Sequence, residues 1–380
     1  KREVIIVGGG VAGIQTALRL ADRGIRPTIV EKEPDLGGKL RGWYHLFPLL
    51  TPASEVLSEL RRRLAARDVE VMTSAEAVSI TPGSVTLADG RILECGSVVV
   101  CSGFTLFDAR LKEEYGYGVY DNVFTSADIE RMLNEGNVTT SSGRRPRRIA
   151  LLHCVGSRDE KVCQAHCSRV CCITGVKQAM ELKRLFPDAD VFNFYMDIRM
   201  FGPGYEEMYR EAQQNYNIHF VRGRISEASP TYDGRLQIKA EDTDGASFAD
   251  ERRYAGAARR DAGERFERRF RGFGRVEAGA QRLHGTAGLF LNSARSGVDG
   301  IFYAGTVTAP KNIGETLNEA DAAAEALDLP ETISASFLGA AVLELTGRGE
   351  ETPWFAFLNA LRRVSPVVQK QTCVLADGST

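Results

Sequence analysis

The sequence predicts an α/β protein built on parallel strands, and three observations carry that reading. Val4-Ile5-Ile6-Val7 is a short, wholly apolar run, as expected of a strand buried on both faces. Gly8-Gly9-Gly10-Val11-Ala12-Gly13 follows at once and opens a helix whose apolar residues continue through Leu18 and Leu20. A second run, Pro27-Thr28-Ile29-Val30, ends at the acid Glu31, eighteen residues beyond Gly13.

Each piece has a physical role. The glycines fit G-x-G-x-x-G: Gly8 permits a tight turn, Gly10 lets the backbone approach a pyrophosphate, and Gly13 lets the helix pack closely on the strand. Amides of Val11, Ala12 and Gly13 at the helix N-terminus hold phosphate charge. Glu31 accepts hydrogen bonds from ribose hydroxyls and repels a 2'-phosphate.

The composition is that of a soluble globular chain. Its 380 residues are 43% hydrophobic and 26% charged, with a net charge of -2. Lys+Arg at 48 nearly cancels Asp+Glu at 50, so nothing calls for nucleic acid. No apolar run approaches the ~20 residues that cross a bilayer. The apolar start is too short for a signal peptide, and a reducing, cytoplasmic location is the expectation.

Several later segments resemble flavoproteins of the two-dinucleotide-binding-domain superfamily. Glu31-Lys32-Glu33-Pro34-Asp35-Leu36-Gly37-Gly38-Lys39 is similar to their E-x-x-x-x-x-G-G segment. Val98-Val99-Val100-Cys101-Ser102-Gly103 resembles their later strand ending in A-T-G, with Cys-Ser replacing Ala-Thr. Gly300-Ile301-Phe302-Tyr303-Ala304-Gly305-Thr306 resembles the strand that closes their flavin site, with Thr306 in place of the usual Asp. Asn312-Ile313-Gly314-Glu315-Thr316 opens the last helix and aims its N-terminal amides at a flavin's pyrimidine edge. The order of these matches implies FAD. Lys311, just before that helix, faces either the reduced flavin or solvent.

In that superfamily a second dinucleotide-binding unit is inserted after about residue 110. Arg148-Ile149-Ala150-Leu151-Leu152-His153 is its expected first strand, after the loop from Gly136 to Gly143. A second glycine loop does not follow. Cys154-Val155-Gly156-Ser157 comes instead, and five of the chain's eight cysteines fall within residues 154–172. This argues against a conventional NAD(P)H site. Beyond them a helix is predicted with Ser168 as N-cap, an apolar stripe of Val170, Ile173, Val176, Met180 and Leu182, and a stop at Phe186-Pro187. Cys171 and Cys172 then lie in its first turn, where the helix dipole favours thiolate, and Cys167 shares a face with Cys171.

Spacing alone leaves four readings open: an iron-sulfur cluster, zinc on Cys163, Cys167 and Cys171, a thiol-disulfide centre, or buried cysteines of no special role. The Cys-Val-Gly-Ser-Arg-Asp-Glu-Lys, Cys-Ser-Arg-Val-Cys-Cys and Tyr195-to-Glu207 segments resemble the A-subunit family of heterodisulfide reductase. That resemblance implies a thioredoxin-reductase-like flavoprotein with FAD and a [4Fe-4S] cluster held at C-x12-C-x3-C-C. The spacing selects Cys154, Cys167, Cys171 and Cys172 and leaves Cys163 outside. The chain starts at the FAD loop and has no ferredoxin-like C-x2-C-x2-C-x3-C insert. In this it is most similar to the compact A-subunit of the sulfur-oxidising heterodisulfide-reductase-like complex, found alongside lipoate-carrying proteins.

The expected architecture is a discontinuous FAD domain over residues 1–110 and 288–327, an inserted Rossmann-like domain over 111–287, and a C-terminal helical extension over 328–380. The resemblance implies an electron-transfer subunit that passes electrons between flavin and cluster, with the other members of the complex as partners and a homodimeric assembly. It calls for no catalytic acid or base. The alternatives are a bifurcating heterodisulfide reductase component, a stand-alone NAD(P)H-dependent flavin disulfide reductase, and a redox-silent scaffold binding zinc and FAD.

Residues 249–287 break the family pattern. Ten are Arg, and Val276 and Leu283 are the only Val, Ile or Leu. The segment reads either as a solvated, basic, partly helical insertion or as the product of a displaced reading frame in GC-rich coding DNA. His153 and His166 flank cluster cysteines; each tunes the cluster by a hydrogen bond or is satisfied by local backbone. The Tyr195-to-Tyr205 motif shapes the loop around the cluster. Ala340-to-Leu343 and Trp354-to-Leu358 suggest two short amphipathic helices, and Cys373 reads as a free thiol.

Overall fold

The computed structural model describes residues 3–162, 164–232, 235–242, 247–252, 255–257, 261–262, 286 and 293–328. Cys163, most of 249–287, both suggested tail helices and Cys373 lie outside them. The chain divides into a unit from Lys1 to Ala324 and a second from Glu325 to Thr380, of which only the end of the last helix is described.

The principal elements of the first unit run in this order: β1 (Val4–Val7), α1 (Val11–Asp22), β2 (Pro27–Val30), α2 (Ala53–Ala65), β3 (Glu70–Met72), β4 (Ser97–Val100), β5 (Val123–Thr125), α3 (Ser126–Asn134), β6 (Arg148–Leu152), α4 (Cys171–Leu185), β7 (Asp190–Tyr195), α5 (Tyr205–Gln214), β8 (His219–Pro230), β9 (Leu236–Asp242), β10 (Ser247–Arg252), β11 (Ala255–Ala257) and β12 (Ile301–Tyr303). Helix α6 (Ile313–Asp328) begins in this unit. Among the described residues no helix is long and apolar enough to cross a membrane.

Two open sheets organise the unit. The first is wholly parallel, in the order β12-β4-β1-β2-β3, and is assembled from the two ends of the chain. Its central strand β1 is buried at every residue, and α1 covers one face with Ile14, Leu18 and Leu20. The other face packs on a three-stranded antiparallel sheet over residues 77–94, through Ile80, Val85 and Leu87. Strand order reverses at β1, which has β2 on one side and β4 on the other. In open parallel sheets ligands bind at that reversal, beyond the strands' carboxyl ends.

The second sheet has the order β5-β11-β6-β7-β8-β9-β10. β5, β11, β6, β7 and β8 are parallel, and β9 and β10 add antiparallel edges. Helix α4 packs over it through Ile173, Val176, Met180 and Leu182. Within the Arg-rich segment the described residues 249–252, 255–257 and 261–262 are strand; the rest of it, on which the partly helical reading falls, lies almost wholly outside the described residues. Ala255-Gly256-Ala257 lies between β5 and β6, paired on both sides. Two flanking ladders of backbone hydrogen bonds impose extended backbone there whatever the residues prefer alone.

Candidate functional site

The first half of the site stands at the reversal. Gly8 has φ +110°, and a Cβ there would run into the Cys101 carbonyl beyond β4. A Cβ at Gly13 would run into the Gly8 carbonyl, whereas one at Gly10 meets nothing within 4 Å. The loop is therefore closed towards the sheet at Gly8 and Gly13 and open at Gly10, as a pyrophosphate cradle requires. Val11, Ala12 and Gly13 form the first turn of α1.

The other predicted residues gather around this loop. Gly37 N donates to Gly9 O (2.7 Å), and a Cβ at Gly38 would lie 3.1 Å from Gly10 Cα. Glu31 is buried beside the loop; its carboxylate accepts from the amides of Gly9 (2.7 Å) and Glu33 (2.9 Å). Gly103 abuts Thr306, and Gly305 packs on Ala12 and Thr316. Lys39 places its ammonium 5.1 Å from the centre of the Phe104 ring. Ser102 is exposed. Lys32 is exposed too and pairs with Glu33 at 3.8 Å, away from these contacts.

Helix α6 begins at Ile313 with a reciprocal cap: Asn312 Oδ1 accepts from Glu315 N (2.8 Å), and Glu315 Oε2 accepts from Asn312 N (3.0 Å). The Lys311 side chain is 12% exposed. It donates to Thr308 Oγ1 (2.7 Å) and Gly305 O (3.1 Å), and it pairs with Glu319 at 3.2 Å. Glu319 also accepts from Gly305 N at 2.7 Å. Burial pushes the Glu319 carboxyl above its ordinary range, with Lys311 opposing. Glu319 was not singled out in the sequence; it is one of three acids, with Asp321 and Glu325, in an alanine-rich stretch, and nothing local sets it apart.

The second half is the loop between β6 and α4, where a second glycine loop would stand. Cys154 has φ +61° and is buried, as are Cys171 and Cys172; Cys167 is partly exposed. Cys154 Sγ lies 3.8 Å from Cys171 Sγ. The neighbouring Cys154 thiol holds Cys171 well below the ordinary thiol range, and the Cys154 and Cys172 thiols are pushed up in turn. Cys154 also feels the charge of Cys167. Among the described residues no three His, Cys, Asp or Glu side chains are grouped closely enough to hold one metal ion.

Two local expectations are corrected. Val170, not Ser168, occupies the cap position of α4. Arg169 takes up left-handed backbone (φ +61°), and Val170 N closes a turn onto Ser168 O (2.7 Å). The turn leaves Ser168 fully buried, its hydroxyl without a hydrogen-bond partner among the described residues. Cys167 consequently lies outside the helix, not one turn below Cys171 on a shared face. His153 is bonded by Asn193 Oδ1 of β7 (3.1 Å) rather than by local backbone, and burial lowers its pKa.

Three ion pairs tie this loop to separate elements, and none of them was read from the sequence. Asp159 binds Lys112 (2.7 Å), with both side chains buried. Arg158 binds Asp197 (2.8 Å), whose carbonyl accepts from Cys172 Sγ (3.5 Å). This gives the Tyr195-to-Tyr205 motif a concrete role, since its Met200 and Tyr205 share a core with Cys154, Cys171 and Cys172. Arg169 binds Glu315 (2.6 Å) in the first turn of α6. The charges inside Cys-Val-Gly-Ser-Arg-Asp-Glu-Lys and Cys-Ser-Arg-Val-Cys-Cys were the signal, but their partners lie far along the chain.

Residues 2–325 match the family described as pyridine nucleotide-disulphide oxidoreductase. The chain is 30% identical over 427 residues to the iron-sulfur A-subunit of CoB–CoM heterodisulfide reductase from Methanocaldococcus jannaschii, covering 87% of this chain and 64% of that one. It is 28% identical over 432 residues to the A-subunit of the H(2):CoB-CoM heterodisulfide,ferredoxin reductase from Methanothermobacter thermautotrophicus, covering 86% and 64%. It thus spans 64% of the length of these relatives. Among solved structures, T. acidophilum thioredoxin reductase superposes with a TM-score of 0.60 at 17% identity, over 89% of this chain and 100% of that one. Lactococcus lactis thioredoxin reductase gives 0.61 at 15% identity, over 90% and 100%. These two likenesses establish a thioredoxin-reductase-like fold.

Proposed function

Because the chain belongs to the pyridine nucleotide-disulphide oxidoreductase family, we propose that it is the flavin- and iron-sulfur-carrying electron-transfer subunit of a heterodisulfide-reductase-like complex, working in cytoplasmic sulfur oxidation. The observation that carries this reading is the placement of Cys154, Cys167, Cys171 and Cys172 at the turn where a second phosphate loop would stand, tied by Arg169–Glu315 to the first site. In this reading residues 1–110 and 288–327 hold FAD, 111–287 hold the cluster, and 328–380 serve a homodimer or partner contact.

The residues present fit both groups. Gly10 leaves room for a pyrophosphate at the amides of Val11, Ala12 and Gly13. Gly38, Gly103, Gly305, Thr306, Ile313 and Thr316 surround the flavin side, and Lys39 and Ser102 flank it. Glu31 lines the ribose side, and Lys32 is at most peripheral. The four cysteines form an all-thiol donor set, the kind of ligand set that holds an iron-sulfur cluster. Bound there, FAD exchanges electrons in pairs or singly, and a [4Fe-4S] cluster carries them one at a time. The chain's own residues orient these groups: Asp159–Lys112, Arg158–Asp197 and Arg169–Glu315 fix the thiol loop. Lys311 and Glu319 fix the Gly305 turn. The other subunits, and a lipoate-carrying protein in the pathway, are the proposed partners.

One observation favours a second reading. Cys154 and Cys171 lie 3.8 Å apart, near enough for a dithiol centre of the disulfide-reductase kind. Anaerobic purification with flavin, iron and acid-labile sulfide analysis, then reductive titration followed by electron paramagnetic resonance, separates the two. Flavin with iron and sulfide supports the proposal. Flavin without them, and one Cys154–Cys171 disulfide, would overturn it.

A further inference from the structure

Cys167 is the partly exposed member of the thiol set and belongs to no helix or strand. Its place depends on the residues that follow, and Arg169 among them is held in three ways. Its backbone N donates to Cys167 Sγ (3.3 Å). Its guanidinium donates from Nη1 to Pro310 O (2.9 Å) and from Nη2 to Glu315 Oε1 (2.6 Å). Its Cζ lies 5.5 Å from the centre of the Phe201 ring.

The acceptor end is equally fixed. Glu315 uses its other oxygen, Oε2, to cap Asn312 N, while Asn312 Oδ1 caps Glu315 N. One carboxylate therefore serves two elements, the start of α6 and the cysteine loop. Arg169 meanwhile sits at φ +61°, a conformation that a non-glycine residue keeps only where its surroundings over-determine it. A forked guanidinium reaching a carbonyl and a carboxylate at once supplies that determination, which a lysine cannot do.

We propose that Arg169 is a positioning residue that clamps the Cys167 corner of the cysteine loop against the Asn312–Thr316 turn and closes that corner to small solutes. The proposal rests on the reading of the four thiols as cluster ligands. The pair is about a third exposed, 37% and 35%, so the clamp is of modest strength. Losing it raises the open population of the corner about tenfold, equivalent to about 1.4 kcal/mol.

The test uses the full chain purified with its cofactors. Bathophenanthroline disulfonate is added anaerobically, and iron release and bleaching of the cluster's visible band are timed in the parent and in Arg169→Gln, Arg169→Lys, Glu315→Gln and the Arg169→Gln/Glu315→Gln double variant. Glu315→Gln keeps one oxygen for the Asn312 cap and removes both the charge and the acceptor that Arg169 Nη2 uses. The expected result is parental iron and flavin content in every variant. Release is about tenfold faster in Arg169→Gln and Glu315→Gln, intermediate in Arg169→Lys, and no faster in the double variant than in either single one. The resonance line positions of the reduced cluster should also move in Arg169→Gln. Should Arg169→Gln fail to accumulate, Glu315→Gln reads the same clamp from its other side. A loaded parent whose release rate is unchanged by either single substitution, or a double variant whose acceleration is the product of the two, overturns the clamp while leaving the cluster reading standing. A parent without iron or sulfide overturns both.

Discussion

Glu181 offers a direct test of how charge is buried where the 45–52 hairpin meets α4. Its Oε1 lies 2.9 Å from His45 Nδ1, and its side chain is 2% exposed. Lys177 pairs at 2.6 Å with Glu130 and stands 3.6 Å from Glu181. Glu130 also accepts from Gln178 Nε2 (2.7 Å) and Tyr44 N (2.8 Å). Lys177 is thus already neutralised by the better-placed acid. Burial pushes Glu181 up to about 8, with Lys177 opposing and Glu130 reinforcing. Burial first, then Lys177, lowers His45. Both directions describe an uncharged acid beside an uncharged imidazole.

The consequence for stability has a definite sign. Below pH 4.5 Glu181 is protonated whether the chain is folded or not, so it favours neither state. Between pH 4.5 and about 8 the unfolded chain ionises it freely and the folded one does not, so stability falls as pH rises and levels off above about 8. At 1.36 kcal/mol per pH unit the loss is up to about 5 kcal/mol. Glu181→Gln removes this titration and retains a polar partner for His45. Thermal unfolding followed by circular dichroism from pH 5 to 8.5 should find the variant no more stable than the parent at pH 5. It should gain with rising pH, reaching several degrees in Tm at pH 8.5. Two profiles that run parallel across the range would refute the account.

Other outcomes follow from the same contacts. Cys167→Ala should lose iron and sulfide while Cys163→Ala keeps them; equal loss in both would defeat the ligand assignment. Gly13→Ala drives a Cβ into the Gly8 carbonyl. It should cost about 1–3 kcal/mol and yield protein depleted of flavin, measured as absorbance per chain; stoichiometric flavin would contradict the cradle. Lys177→Met leaves Glu130 buried without its cation, at a cost of about 3–5 kcal/mol. A Tm within a degree of the parent at pH 7 would show that the network tolerates an uncompensated charge.

What the sequence disclosed and what it hid divide by contact distance. The Gly8–Gly13 cradle was legible because strand, turn and helix are neighbours in the chain, and the only conformations open to that spacing are few. The thiols of Cys171 and Cys172 were placed in the first turn of α4 for the same reason. The Ser168 cap failed although it is equally local, because side-chain type favours a cap but does not fix φ. The left-handed Arg169 moves the start of α4 on to Val170 and leaves Ser168 buried outside it. Arg169 in turn owes its conformation to Glu315, 146 residues away, and Asp159 finds Lys112 across 47. No periodicity encodes such pairs.

The charges inside α4 make the same point from the opposite direction. Lys177, Gln178 and Glu181 interrupt a helix that is otherwise almost wholly buried. By composition they should face water. They do not, because Glu130 of α3 and His45 of the hairpin meet them in the interior. An ionic contact at that junction is weak as a source of stability, since both charges are desolvated. The polar contacts there are strong as a source of register: sliding the hairpin along α4 would take His45 from Glu181 and its carbonyl from Lys177, which apolar packing of Tyr44 and Phe47 alone would not penalise. The junction carrying His45 and the Arg169 bridge therefore constrain the two sheets at separate places. The proposed electron-transfer role would require that kind of fixed spacing between the two sites, and contacts between residues distant in the chain supply it.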